Sequence, residues 1–262
     1  MKLPLRFLTL LLLPFSTLAI TDQTTEDLYQ QNCAACHGAD RLGLIGPALL
    51  PENLKRLRKK AAISTITSGR PATQMPPFGE KLSSEQISAL VDHIYQPLPE
   101  VPVWMEAEIS ASHKLFTPLD QLPAKPQHGA DPLNLFFVVE AGDHHATILD
   151  GDKLEPITRF KTRFALHGGA KYSPDGRFVY YATRDGWVTL FDLHSMQMVA
   201  EIRAGINTRN IAISSDGKLV AVGNYLPHNL VLLNANDLSL NSIIPVQSLG
   251  ESSRVSAVYD AA

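Results

Sequence analysis

Apolar positions follow two different rules along this chain, and the change falls near residue 98. Before it the spacing is helical. Leu28 and Tyr29 stand behind Thr24 and Thr25, either of which suits an N-cap, so a short helix is predicted there. Pro51 fits a first helical position, and the stretch from Glu52 to Ser68, closed by Gly69, reads as one helix. Ser83-Ser84-Glu85-Gln86 has the form of a capping box. Ile87, Leu90, Val91 and Ile94 recur behind it at helical spacing, which predicts a last helix ending before Pro97. Beyond residue 132 the rule changes to strands. Val179-Tyr180-Tyr181, Val188-Thr189-Leu190-Phe191 and Leu230-Val231-Leu232-Leu233 are short β-branched or aromatic runs broken by turn residues. Between the two parts, seven of the eighteen prolines fall from Pro97 to Pro132, so residues 99–132 read as a semi-rigid, unpacked linker.

The strand region repeats itself. Asp150, Asp192 and Asn234 stand 42 residues apart, each closing a strand-like run. Ser173-Pro174-Asp175-Gly176-Arg177 and Ser214-Ser215-Asp216-Gly217-Lys218 are related turns 41 apart. A unit of about 40 to 45 residues with four short strands is the signature of a β-propeller blade. Residues 133–262 hold about three such units, whereas a propeller ring needs at least four. The sequence therefore reads as the first part of a longer ring.

The extreme N-terminus follows neither rule. Lys2 and Arg6 precede an apolar stretch to Ile20, with small residues around Ala19. That pattern predicts a secretory signal peptide over 1–19 and export to a periplasm. The run is too short for a membrane span, and no later apolar run approaches the length of one. A net charge of −3 leaves no chain-wide basic field for nucleic acid.

Two cysteines in 262 residues exclude a disulfide scaffold, but their placement carries chemistry. Cys33-Ala34-Ala35-Cys36-His37 is a C-x-x-C-H motif, the spacing of covalent c-type haem attachment. Two thiols one helical turn apart can each add to one vinyl group, and the adjacent histidine then lies under the ring to ligate iron. A thioredoxin-like redox pair would not use His37, and a zinc site would want further ligands. Met75, in Gly69-Arg70-Pro71-Ala72-Thr73-Gln74-Met75-Pro76, suits the second axial position, because the prolines stiffen its loop and a thioether raises the reduction potential. Met105, in the linker, and His93, on a helix, suit it less. Lys55, Arg56, Arg58, Lys59 and Lys60 form a basic cluster that is either a solvated helix face or a surface steering a redox partner.

Residues 20–98 resemble a class I cytochrome c, all-α. Joined to a propeller whose blade begins Arg163-Phe164-Ala165-Leu166-His167-Gly168-Gly169, the whole resembles the cytochrome cd1 family, in which an eight-bladed propeller holds haem d1. That family includes nitrite reductases and enzymes that oxidise dihydro-haem d1 to haem d1 during its biosynthesis. The stretches around Cys33 and Met75, and His167-Gly168-Gly169, look more like the biosynthetic branch. The resemblance implies His167 as proximal ligand of the d1 iron. It implies Arg184 and Arg209 on the d1 carboxylates, which guanidinium groups bind in bidentate fashion, and Tyr225 as a pocket residue. Salt bridges and blade packing are the structural alternatives for these three. Glu140 stands where nitrite reductase has an arginine. The adjacent His144 and His145 are not assigned as ligands. The resemblance thus implies haem c and haem d1 or dihydro-haem d1 as cofactors. It implies a small soluble electron acceptor or donor, a cytochrome or copper protein, and proteins of the haem d1 pathway, nitrite reductase among them, as partners. The reaction it implies turns a propionate into an acrylate, with electrons leaving through haem c and no catalytic base assigned in this chain. Nitrite reduction to nitric oxide, and a non-catalytic electron-transfer or d1-carrying protein, are the alternatives.

Overall fold

A computed structural model describes residues 23–260 apart from 101 and 165, and of 167 and 168 only the backbone. The signal peptide expected over 1–19 lies outside the described residues. Helix α1 (Thr25–Asn32) starts at Thr24, whose hydroxyl accepts from the Asp27 N–H while the Asp27 carboxylate accepts from the Thr24 N–H. Cys33 turns the chain directly into α2 (Ala34–His37). The single helix expected over 52–68 is two, α3 (Pro51–Leu54) and α4 (Lys59–Ser68). The break has an identifiable cause. The Tyr95 hydroxyl donates to the Leu57 carbonyl, which a continuous helix would need, and Arg58 is extended with φ −74° and ψ 145°. Helix α5 (Ser84–Ile94) keeps its predicted Ser83–Gln86 capping box and buries Ile87, Leu90, Val91 and Ile94. These pack with Leu28, Tyr29, Leu54 and Leu82 into one helical core.

The segment expected to be an unpacked linker is instead built into the second unit. It forms α6 (Glu106–Ser112) and β1 (Lys114–Leu115). Ile109 is fully buried in the sheet core, with Trp104, Leu119 and Leu122 packed against the same cluster. The prolines punctuate short elements here, and the apolar side chains between them decide the packing.

The sheets follow as antiparallel meanders. Strands β2 (Leu135–Glu140), β3 (His145–Asp150) and β4 (Pro156–Lys161) make the first sheet, in that order. Strands β5 (Leu166–Tyr172), β6 (Phe178–Thr183), β7 (Trp187–Asp192) and β8 (Gln197–Arg203) make the second, with β1 added outside β8. Strands β9 (Asn207–Ile213), β10 (Leu219–Leu226), β11 (Asn229–Asn234) and β12 (Leu240–Pro245) make the third. A short ribbon of β13 (Gln247–Ser248) and β14 (Glu251–Ser252) comes last. The 42-residue period places Asp150, Asp192 and Asn234 at the ends of β3, β7 and β11. Asp192 shows what the position does: its carboxylate accepts from the Ser195 N–H at 3.0 Å and closes the turn into β8. The two related turns share one hydrogen-bond scheme. Ser173 Oγ accepts from the Phe178 N–H and Ser214 Oγ from the Leu219 N–H, each at 2.9 Å, with Gly176 and Gly217 at φ 75° and 69°.

The middle sheet is buried on both faces, and its side chains alternate between neighbours. Val179, Tyr181 and Phe191 pack towards the first sheet, on Phe137 and Phe160. Tyr180, Ala182, Val188 and Leu190 pack towards the third, with Val220, Val222, Val231 and Leu233. Stacked sheets sharing faces in this way are consecutive propeller blades. The helical unit sits against their ends through Ala48 and Leu50, which are buried with Ile206 and backed by Trp104 and Leu226.

Candidate functional site

The C-x-x-C-H segment is held ready for a macrocycle. Cys33 and Cys36 are free and partly buried. Burial, with Cys36 alongside, pushes the Cys33 thiol up to about 11, so it stays protonated. His37 is buried, and its Nδ1 lies 2.8 Å from the Pro47 carbonyl oxygen. An N–H···O bond there fixes the tautomer and leaves the Nε2 lone pair available to ligate a metal. Burial holds the His37 pKa below the ordinary value, which favours the neutral, ligating form. A Cβ on Gly46 would stand 2.9 Å from His37 Cε1, so only glycine lets the loop close over this ring. Arg41 locks that loop to the end of α5, donating to the carbonyls of His93 at 2.5 Å and Gln96 at 3.0 Å. Met75 is half-buried in a loop tied by the bond from Arg70 N–H to Met75 O at 3.0 Å, and Gly69 lies so close to that carbonyl that a Cβ would reach 2.8 Å. Free thiols, an oriented imidazole and a loop held close to it by Gly46 fit a covalently bound haem.

A second group of residues gathers at one end of the sheets. Arg184 follows β6, and its carbonyl accepts from the Thr208 N–H at 2.9 Å, which sets it beside Arg209 on β9. Tyr225 ends β10 next to buried Asn224, which donates to the Ala204 carbonyl and accepts from the Thr208 hydroxyl. Arg254 stacks on the Tyr225 ring at 4.7 Å. Burial, then the guanidinium groups of Arg56 and Arg209, hold the Arg184 pKa below its ordinary value, with Tyr225 opposing. Guanidinium groups from separate segments are therefore grouped here, a feature that suits an anionic ligand. Of His167 the structure gives only the backbone, in β5 opposite Ala182; its side chain lies outside the described residues.

The residues set aside by sequence reading have other partners. His93 Nε2 lies 3.5 Å from a Glu26 carboxylate oxygen, and Met105 caps α6. His144 sits in the β2–β3 turn at φ 60°, edge-on to Phe164, while His145 Nδ1 lies 3.0 Å from the Asp143 carbonyl. Glu140 is tied to Arg159 at 2.8 Å and so is neutralised within its own sheet. Arg56 belongs to the basic cluster visible in the sequence, whereas Arg203 carries no sequence signal beyond being basic. Arg203 is nearly buried, lies 4.6 Å from the Trp104 ring, and donates to the carbonyls of Asp185 at 2.8 Å and Leu42 at 2.5 Å. The scarce Trp104 is the one feature that marks its neighbourhood in the sequence.

Fold and site together define a c-type cytochrome unit docked on consecutive propeller blades. The family description "Cytochrome D1 heme domain" matches residues 130–262, and "Cytochrome C oxidase, cbb3-type, subunit III" matches residues 21–94. The chain belongs to the cytochrome D1 heme domain family. It is 59% identical to a dihydro-heme d1 dehydrogenase of Pseudomonas aeruginosa over 237 residues, 90% of this chain and 48% of that protein. It is 26% identical to a nitrite reductase of Stutzerimonas stutzeri over 248 residues, 87% of this chain and 44% of that protein. The solved structure of the dihydro-heme d1 dehydrogenase NirN in complex with DHE aligns with a TM-score of 0.86, covering 90% of this chain and 51% of that one. The chain thus spans about half the length of the curated relatives it matches. No helix among the described residues is long and apolar enough to cross a membrane.

Proposed function

We propose that this chain belongs to a periplasmic oxidoreductase that converts dihydro-haem d1 to haem d1, oxidising a propionate side chain to an acrylate. The observation that carries this reading is the convergence of Arg184 and Arg209, from two different sheets, with Tyr225 at one end of the blades, while the unit bearing the C-x-x-C-H segment packs on the same blades. In this reading Cys33 and Cys36 would bond haem c covalently, and His37 and Met75 would supply ligands to its iron. His167 holds the d1 iron, Arg184 and Arg209 clamp macrocycle carboxylates, and Tyr225 lines the pocket. Haem c, when bound, would supply one-electron redox chemistry, and making one C=C bond from CH2–CH2 requires the removal of two electrons and two protons. The chain's residues contribute position: the arginines fix the macrocycle, and the His37–Pro47 bond holds the ligating imidazole in one orientation. Electrons then pass to a small soluble cytochrome or copper protein, and the product serves nitrite reductase and other haem d1 proteins.

The similarity to a protein named dihydro-heme d1 dehydrogenase supports this reading. The resemblance places an arginine of nitrite reductases at the position of Glu140. Here that position is occupied by a carboxylate already committed to Arg159, so it offers no cation to an anionic substrate, which favours this reading over nitrite reduction. The test is to mix the full-length protein, haem c attached, with dihydro-haem d1 and an oxidised acceptor. Appearance of the haem d1 spectrum is expected. Nitrite turnover with no conversion of dihydro-haem d1 would overturn the assignment.

A further inference from the structure

We propose that Arg56, on the cytochrome unit, is a carboxylate-binding residue of the tetrapyrrole site, acting with Arg184 and Arg209 on a macrocycle seated at the end of the blades. The inference rests on the reading that this end takes a polycarboxylate tetrapyrrole. Its basis is a chain of contacts across the seam. Ile206 donates its N–H to the Leu226 carbonyl at 2.9 Å, which binds the start of β9 to the end of β10. Ile206 is buried with Ala48 and Leu50, and Leu226 packs on the same cluster. Leu50 is the N-cap of α3, and Arg56 follows that one-turn helix by two residues. The cytochrome segment that leads to Arg56 is thereby packed against the start of β9 and the end of β10, the two strands that carry Arg209 and Tyr225.

The broken helix is what makes this placement available. A continuous helix would carry Arg56 round with the other basic residues of its face. Instead the Tyr95 hydroxyl holds the Leu57 carbonyl, and Arg56 stands in a fixed, exposed turn between α3 and α4. Its ionic environment differs from that of the ion-paired arginines of the blades. Arg159, Arg163 and Arg177 each have a carboxylate within 2.9 Å. Among the described residues no carboxylate forms an ion pair with Arg56 or Arg209, yet both stand close enough to lower the pKa of Arg184. Like charges brought together from two folding units repel, and a multiply anionic ligand relieves that repulsion. With Arg56 as a third clamp, binding the macrocycle also tightens the cytochrome onto the blades.

The test titrates the full-length protein, haem c attached, with ferric dihydro-haem d1 and no external acceptor, reading the Kd from the absorption change. Arg56→Gln is expected to weaken binding about tenfold or more, the scale of one charge-assisted hydrogen bond. Arg56→Lys should recover part of the loss, and Lys55→Gln should change the Kd less than about twofold. The Arg56 variants should also lose part of the shift in haem c potential that accompanies binding. Arg184→Gln and Arg209→Gln serve as internal standards. If they weaken binding while Arg56→Gln behaves like wild type or like Lys55→Gln, the role of Arg56 is overturned and the site stands. If none of the three matters, the site itself has been misread.

Discussion

The Arg203 guanidinium reaches from the end of β8 to the Leu42 carbonyl, 2.5 Å away, and so joins the blades to the loop that follows His37. Arg203 is nearly buried, with Trp104 stacked on it, and its remaining donors satisfy the Asp185 carbonyl. A cation so enclosed is costly unless every partner is kept.

Arg203→Gln should therefore destabilise the protein by about 2–4 kcal/mol, because carbonyls at the seam lose a charged donor. Calorimetry is expected to show one cooperative transition in the parent protein. In the variant the cytochrome and the sheets should melt separately. A variant that melts as one unit at the parent temperature would remove Arg203 from the seam.

Gly46→Ala brings a Cβ within 2.9 Å of the His37 ring. The thiols are untouched, so covalent haem attachment should survive with an unchanged mass increment. The imidazole, however, must shift from its Pro47 bond. The expected result is a fraction of high-spin haem in the absorption spectrum that the parent lacks.

Met75→Ala should leave attachment intact and lower the haem c potential by on the order of 0.1 V or more, within the roughly 0.8 V range that axial ligands command. Redox titration checks it. A potential equal to that of the parent protein would show that another group holds the sixth position.

Asp192 gives a pH prediction. Burial opposes its ionisation, but the bonds from Arg177 at 2.8 Å and Ser195 prevail, and its pKa lies below the ordinary 3.8. A carboxylate depressed in the folded state stabilises fully above 3.8 and loses that contribution as pH falls through the folded value. Asp192→Asn should cost about 1–3 kcal/mol at neutral pH, the worth of a buried charge-assisted bond, and progressively less below pH 3.8. Denaturant melts across that range would show the two proteins converging. Asn234, at the same position of the next repeat, has no charge to titrate.

The C-x-x-C-H segment and its helical turn were legible because the pattern is local. Cys33, Cys36 and His37 lie within five residues, and one helical turn brings them together. The capping box of α5 and the 42-residue repeat were legible for the same reason, since each is a pattern of near neighbours. The helix over 52–68 was misread because the Tyr95 hydroxyl that interrupts it comes from 38 residues further on. The proline-rich stretch was misread because composition does not register that Ile109 and Trp104 are covered by β8 and its neighbours.

The sequence by itself determined the two kinds of folding unit, the haem-attachment motif and the blade repeat, all set by residue spacing along the backbone. Only the tertiary structure decided what stands at the junction. Arg56, Arg184, Arg209 and Arg203 come from four separate segments, and it is the packing of Ala48 and Leu50 on Ile206 that sets the units against each other. Burial of apolar surface acts without regard to sequence separation, so the charges it gathers cannot be read from the order of the residues.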